Sequence, residues 1–275
     1  MASRYKVAVV TICLNQTYWP YLGRMIDSAR KFFLKNHEVD YFTWSDMENA
    51  PKDVRVFPTE PFDWPLPTLK RYHLFLQQEE LLSQYDYVFY VDADMEFVSR
   101  VGDEILGNGL TVAQHPMYAL GRTNIPPYEP NPSSKAYIPR LGRIVKGVGM
   151  KAGGGRGDWF EPLYLAGGFQ GGRADSFIQA MKVMKGWIDE DFANNYVPVW
   201  NDESIWNAYL FQLTPTGLLP EGTIVLNPSY VYPDSLIREY YVKRWERNYI
   251  PKLVTLTKPF SLTKEGGQAL NQILK

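Results

Sequence analysis

The sequence predicts an α/β protein in a single domain, with a central mixed and mostly parallel sheet flanked by helices. Three observations carry that expectation. Residues 6–14 form an apolar run rich in β-branched side chains, and Leu22, Met25, Ile26, Ala29 and Phe33 then recur at helical spacing. Two short strand candidates follow at 40–44 and 54–57, separated by a turn-rich stretch, so the chain opens β-α-β and favours parallel pairing. Residues 87–91 are apolar at every position, the pattern of a strand covered on both faces.

The remaining elements read less uniformly. Pro65 and Pro67 open a second helix with apolar positions at Leu69, Tyr72, Leu76 and Leu82. Lys70 and Arg71 stand near its start, where cations oppose the helix dipole, so they are either solvated surface charges or aimed at an anion. Residues 110–113 read as a strand running into His115, and a lone histidine is more often a satisfied hydrogen-bonding group than a ligand. The segment 121–158 is rich in Gly, Pro and Arg with weak periodicity, which suits a mobile lid over an anionic ligand. The glycines of 164–172 permit close backbone approach and positive φ, although the dinucleotide-binding spacing is absent. A helix carrying Phe177, Met181, Met184 and Ile188 on one face comes next. Asp202 and Glu203 then precede Ile205, Trp206, Tyr209 and Leu210, where capping and the dipole alone would explain two acids. From Asn227 onward the chain mixes aromatics with Arg238, Lys243, Arg244, Arg247 and Lys252, as a structured cap or a frayed basic end.

Composition narrows the function. With 275 residues and a net charge of −1, the chain can bury a sizeable core and has no basic cluster, so nucleic-acid binding is not expected. The single cysteine, Cys13, excludes an intramolecular disulfide framework. No signal peptide and no membrane-length apolar span are apparent, and the expectation is a soluble, cytoplasmic protein.

Chemistry concentrates where the strand 87–91 stops on Asp92-Ala-Asp94. Ligands of open α/β sheets bind outside the carboxyl ends of strands. Two carboxylates there repel each other and lose hydration unless a cation compensates. An i, i+2 pair can share one hard divalent metal and leave room for phosphate oxygens, which suggests a metal–diphosphate site. The alternative is that these aspartates merely form a turn or a helix cap.

Five motifs in order then resemble one family: Val91-Asp-Ala-Asp-Met-Glu-Phe97, His115-Pro116, Ala136-Tyr-Ile-Pro139, Gly167-Gly168 with Gly171-Gly172, and Trp200-Asn-Asp-Glu-Ser204. Together they are similar to glycosyltransferase family 6, which includes the blood-group A and B transferases, the α-1,3-galactosyltransferase and smaller bacterial members. The resemblance covers roughly Val7 to Tyr232. It implies a GT-A fold, Rossmann-like, with a nucleotide-binding half at 1–113, a donor-sugar and acceptor half at 114–232, and a cap or tail at 233–275. It implies a UDP-sugar donor and retaining transfer to the 3-hydroxyl of a galactose-containing acceptor, fucosylated or not, in an α-1,3 linkage.

Residue by residue, the resemblance assigns Asp92 and Asp94 to Mn²⁺ or another divalent cation. Tyr18 matches a uracil-stacking tyrosine, and Cys13, Arg71, Ala93 and Lys252 match donor contacts. Glu203 matches the catalytic carboxylate beneath the anomeric carbon, and Asp202 a donor-sugar contact. His115, Trp200, Asn201 and Glu203 match acceptor positions. Ala166, Gly167 and Gly168 stand where small residues admit N-acetylgalactosamine, although galactose also fits. The chain departs from the family at Asn201, where histidine is typical, and from bacterial members that carry Asn-x-Asn in place of the two aspartates. The competing readings are a non-catalytic UDP-sugar-binding protein on the same fold and a metal-dependent phosphohydrolase.

Overall fold

The computed structural model describes residues 4–47, 49–119, 127–139, 164–212, 219–236 and 249–258. The β-α-β opening is β1 (Lys6–Cys13), α1 (Trp19–Phe32), β2 (Glu38–Ser45) and β3 (Val54–Pro58). Three short helices follow, α2 (Leu66–Leu69), α3 (Arg71–Leu76) and α4 (Glu79–Leu82), and then β4 (Tyr87–Val91) and β5 (Met95–Phe97). Beyond them come β6 (Leu110–Gln114), α5 (Pro116–Ala119), β7 (Leu165–Arg173), α6 (Ala174–Ala193), α7 (Asn201–Gln212), β8 (Ile224–Leu226), β9 (Tyr232–Pro233) and β10 (Leu253–Thr255).

Seven strands form the central sheet in the order β3-β2-β1-β4-β7-β6-β8. The pairs β3–β2, β2–β1, β1–β4 and β6–β8 are parallel, and only β7 runs against its neighbours β4 and β6. Strand periodicity divides the core into two faces. Val7, Val9, Phe89 and Val91 pack with Leu22, Met25, Ile26 and Ala29 of α1. Ala8, Val10, Val88 and Tyr90 pack on the other side with Tyr72 and Phe75 of α3 and with residues of α6 and α7. Truncating a fully buried aromatic such as Phe89 to alanine would cost about 3–5 kcal/mol.

Two local expectations change. The single helix over 65–82 is interrupted at Lys70 and at Gln77–Gln78, giving three short pieces. The pieces still bury Leu69, Tyr72, Phe75 and Leu82, and Arg71 faces inward at 4 % exposure. The glycine run, read from the sequence only as permitting close backbone approach, forms the buried strand β7. A Cβ on Gly171 would meet Phe89 Cα at 2.8 Å, and one on Gly172, at φ +135°, would meet Leu110 Cα at 2.7 Å. These two glycines serve the close approach of β4 and β6.

A second sheet, in the order β5-β10-β9, brings the chain's last described strand back to the end of β4. Thr255 pairs with Met95, the residue after Asp94. Among the described residues no helix is long and apolar enough to cross a membrane. The region 121–158 lies mostly outside the described residues, as do Arg238, Lys243, Arg244 and Arg247.

Candidate active site

The site forms where β4, β7, α3 and α7 converge. Leaving β4, the Asp92 N–H donates to Gly168 O at 3.0 Å, so the first aspartate stays tied to the antiparallel neighbour. Its Oδ1 accepts the Tyr90 hydroxyl. Asp94 is 5 % exposed, and its Oδ2 lies 2.6 Å from Lys258 Nζ. Burial, reinforced by the neighbouring Asp92 charge, pushes the Asp94 carboxyl up, and Lys258 opposes that shift.

Arg71 supplies a second cation from beneath. Its guanidinium lies 3.0 Å from Asp202 Oδ2 and 3.7 Å from Asp92 Oδ1, and donates to Gly167 O at 3.2 Å. The same group stacks 4.1 Å from the Tyr90 ring centroid. Nearly sealed from solvent, it is a fixed internal counter-ion.

Asn201 starts α7 at φ +52°, a left-handed conformation that asparagine tolerates. The first helical turn then directs Asp202 and Glu203 inward. Gly167 N–H donates to Glu203 Oε2 at 2.7 Å. Burial lifts Glu203 to about 7, against the Gly167 hydrogen bond and with help from the Asp202 charge. Asp202 rises to about 6 through burial and the Asp92 charge, against Arg71. Carboxylates with ordinary capping roles would not need this enclosure.

The two remaining glycines now have a reason. A Cβ on Gly168 would meet Asp92 Oδ2 at 2.8 Å, and one on Gly167 would meet Asp202 Oδ2 at 3.0 Å. Their lack of side chains first admits these carboxylates to the strand.

A cleft of about 330 Å³ opens above this arrangement. Asp92, Ala166, Gly168 and Glu203 form its floor side, His115, Pro116 and Met117 contribute beside them, and the C-terminal residues Thr255, Leu256 and Thr257 also line it. His115 is kept neutral by burial, which lowers it to about 4. Its Nδ1 accepts the Met117 N–H at 3.3 Å, and its ring meets Tyr118 and Tyr164.

The other anticipated residues have these surroundings. Tyr18 is partly buried, with Lys258 Nζ 5.6 Å from its ring centroid. Cys13 and Ala93 are buried, and burial, with Asp46 and Asp94 nearby, pushes the Cys13 thiol up to about 12. Trp200 is 44 % exposed on the segment leading into α7, whereas Asn201 is buried. Lys252, anticipated at the donor, pairs with Glu104, and its Nζ lies 5.2 Å from the Tyr230 ring centroid. The lysine on the carboxylate pair is Lys258, which sequence reasoning missed. So were Tyr90 on Asp92 and Tyr164, whose hydroxyl is raised by burial and the adjoining Glu203. The alternating stretch Leu253-Val-Thr-Leu-Thr257 was the available signal for a strand ending at that lysine.

Asp92 and Asp94 fit a hard divalent cation. They offer closely spaced carboxylate oxygens that repel each other without a compensating cation, the role Lys258 fills at Asp94 here. Among the described residues no group of three or more His, Cys, Asp or Glu converges as a closed metal cage. An ion here would draw the rest of its shell from ligand oxygens and water, as magnesium-type sites do.

Comparison with known proteins points to one family. A family model described as Glycosyltransferase family 6 matches residues 2–252. Histo-blood group ABO system transferase 1 of Rattus norvegicus is 28% identical over 242 residues, covering 83% of this chain and 61% of the relative. Globoside alpha-1,3-N-acetylgalactosaminyltransferase 1 of Gallus gallus is 28% identical over 234 residues, covering 79% and 59%. The O-antigen biosynthesis glycosyltransferase WbnI of Escherichia coli is 22% identical over 233 residues, covering 83% and 88%. The chain thus spans about three fifths of the two animal relatives. Its mixed sheet with helices on both faces is GT-A-like, and the chain belongs to glycosyltransferase family 6.

Proposed function

We propose that the protein is a retaining glycosyltransferase that moves N-acetylgalactosamine, or galactose, from a UDP-sugar to the 3-hydroxyl of a galactose-containing acceptor, forming an α-1,3 linkage. Mn²⁺ or another divalent cation at Asp92 and Asp94 completes the reading. One observation carries it: Glu203, fixed by Gly167 N–H, lines the same cleft as Asp92. A carboxylate that faces a sugar and a carboxylate that faces a diphosphate are the two polar demands of the reaction.

In the transfer, the bond between the anomeric carbon and the diphosphate oxygen breaks, and its electron pair leaves with UDP. A bond from the acceptor oxygen to that carbon forms, and the acceptor proton passes to the departing phosphate. Positive charge grows on the sugar ring, where an ionised Glu203 either bonds to the anomeric carbon or stabilises the charge. A bound divalent cation would supply charge compensation to the leaving diphosphate. Arg71, anticipated as a donor contact, bonds to Asp202 and Gly167 O and lies beside Asp92, so it holds these carboxylates in place next to the donor. His115 is a neutral hydrogen-bonding group on the acceptor side, and Ala166 and Gly168 leave space for an acetamido group.

The names of the relatives support a hexosamine donor, as do the small residues Ala166 and Gly168. The test is UDP release from UDP-GalNAc and UDP-Gal, with Mn²⁺ or EDTA, with and without a fucosylated galactoside. Acceptor-stimulated, Mn²⁺-dependent release favouring UDP-GalNAc is expected. UDP binding without release under any of these conditions would favour a binding protein instead.

A further inference from the structure

Lys258 is held at Asp94 by more than its own side chain. Leu256 N–H donates to Asp94 O at 2.9 Å, extending the pairing of β10 with β5 up to the carboxylate residue. Thr257 N–H donates to Asp234 Oδ2 at 2.8 Å, and the Thr257 hydroxyl bonds to the other oxygen of Asp234. Lys258 therefore follows two anchored residues, with its ammonium 2.6 Å from a carboxylate that is itself 7 % exposed. The lysine side chain is 31 % exposed, so it can swing away into solvent without unpacking the core.

A divalent cation that coordinates Asp94 meets this ammonium at the same carboxylate. Two cations cannot share a carboxylate oxygen at bonding distance without strong repulsion. We propose that Lys258 is the resident counter-cation of Asp94 and competes with the divalent ion, so that the metal binds tightly only once an anionic diphosphate draws the lysine away. The inference rests on the reading of Asp92 and Asp94 as metal ligands. Its consequence is ordered loading: the nucleotide-free protein holds metal weakly, and metal and nucleoside diphosphate favour each other's binding.

Mn²⁺ binding to the whole, nucleotide-free chain, followed by the loss of the free-ion EPR signal, tests this directly. Lys258→Met and Lys258→Gln should each tighten Mn²⁺ binding about tenfold or more relative to wild type. Lys182→Met removes the same charge from a pair with Glu79 and should leave Mn²⁺ affinity unchanged. Added UDP should tighten Mn²⁺ binding to wild type much more than to either Lys258 variant. Equal Mn²⁺ affinity in wild type and both Lys258 variants overturns the inference while leaving the metal site intact. Mn²⁺ binding by none of them, in protein that still transfers sugar in EDTA, removes the metal reading and this inference together but spares the transferase reading.

Discussion

The aspartates at the site are neutralised in two opposite ways. Asp202, together with Asp92, is served by Arg71, a guanidinium 4 % exposed and locked by a backbone carbonyl and an aromatic face. Asp94 is served by Lys258, a partly exposed ammonium that comes from the far end of the chain and pairs with it alone among the described carboxylates. Arginine's rigid fork suits a permanent buried pair, whereas lysine is a mobile point charge. The difference separates a part of the site that holds its geometry from a part that can exchange its cation.

The strongest way to break this contrast is to remove each cation in turn. Arg71→Met leaves the buried Asp202 without its cation and should cost about 3–5 kcal/mol in urea unfolding near neutral pH. Lys258→Met leaves Asp94 without its cation but at a site that solvent reaches through the lysine's own position, and should cost less, about 1–3 kcal/mol. Similar losses in the two variants would erase the distinction.

Glu203→Gln should lower turnover about a thousandfold with little change in UDP affinity. It should also stabilise the protein. Burial raises Glu203 from 4.5 to about 7, so the folded state holds this proton more tightly than the unfolded chain. Stability from this group is fully present below about pH 4.5 and is lost as pH rises through about 7. At pH 8 the glutamine variant should therefore melt about 2–5 °C higher than wild type, with the gap closing at acid pH. Turnover of the wild type should rise over the same interval as the carboxylate ionises.

The glycines sharpen the comparison on a smaller scale. Gly171→Ala would drive a methyl into the Phe89 backbone and should destabilise by about 1–3 kcal/mol. Gly168→Ala presses on Asp92 Oδ2, a side-chain atom that can shift, so its main effect should be about a tenfold loss of kcat/KM with a nearly unchanged melting point. The reverse ranking would mean that Gly168 serves packing rather than the site.

Much of the scaffold was legible because patterning and burial agree there. The β-branched run of β1, the continuous apolar run of β4 and the helical spacing of apolar residues in α1 and α6 are signals that tertiary structure did not override. Strand β7 was hidden because four glycines erase the side-chain pattern by which strands are read. The break at Lys70 carries no local signal; neither glycine nor proline marks it. Asp92, Asp94 and Glu203 stood out through motif and resemblance, but Lys258 could not. Its position depends on β10 pairing with β5 across more than 150 residues of chain, and an isolated lysine in a basic terminus reads as a solvated charge.

The central claim is that Glu203 and the Asp92–Asp94 pair carry out sugar transfer with retention. The most direct measurement is NMR of the product formed from UDP-GalNAc and a galactoside acceptor in Mn²⁺, with Glu203→Gln run beside the wild type. The account predicts an α-configured N-acetylgalactosamine on O3 of galactose, formed by the wild type and almost absent with the variant. A β-configured product, or equal product from the two proteins, would contradict it.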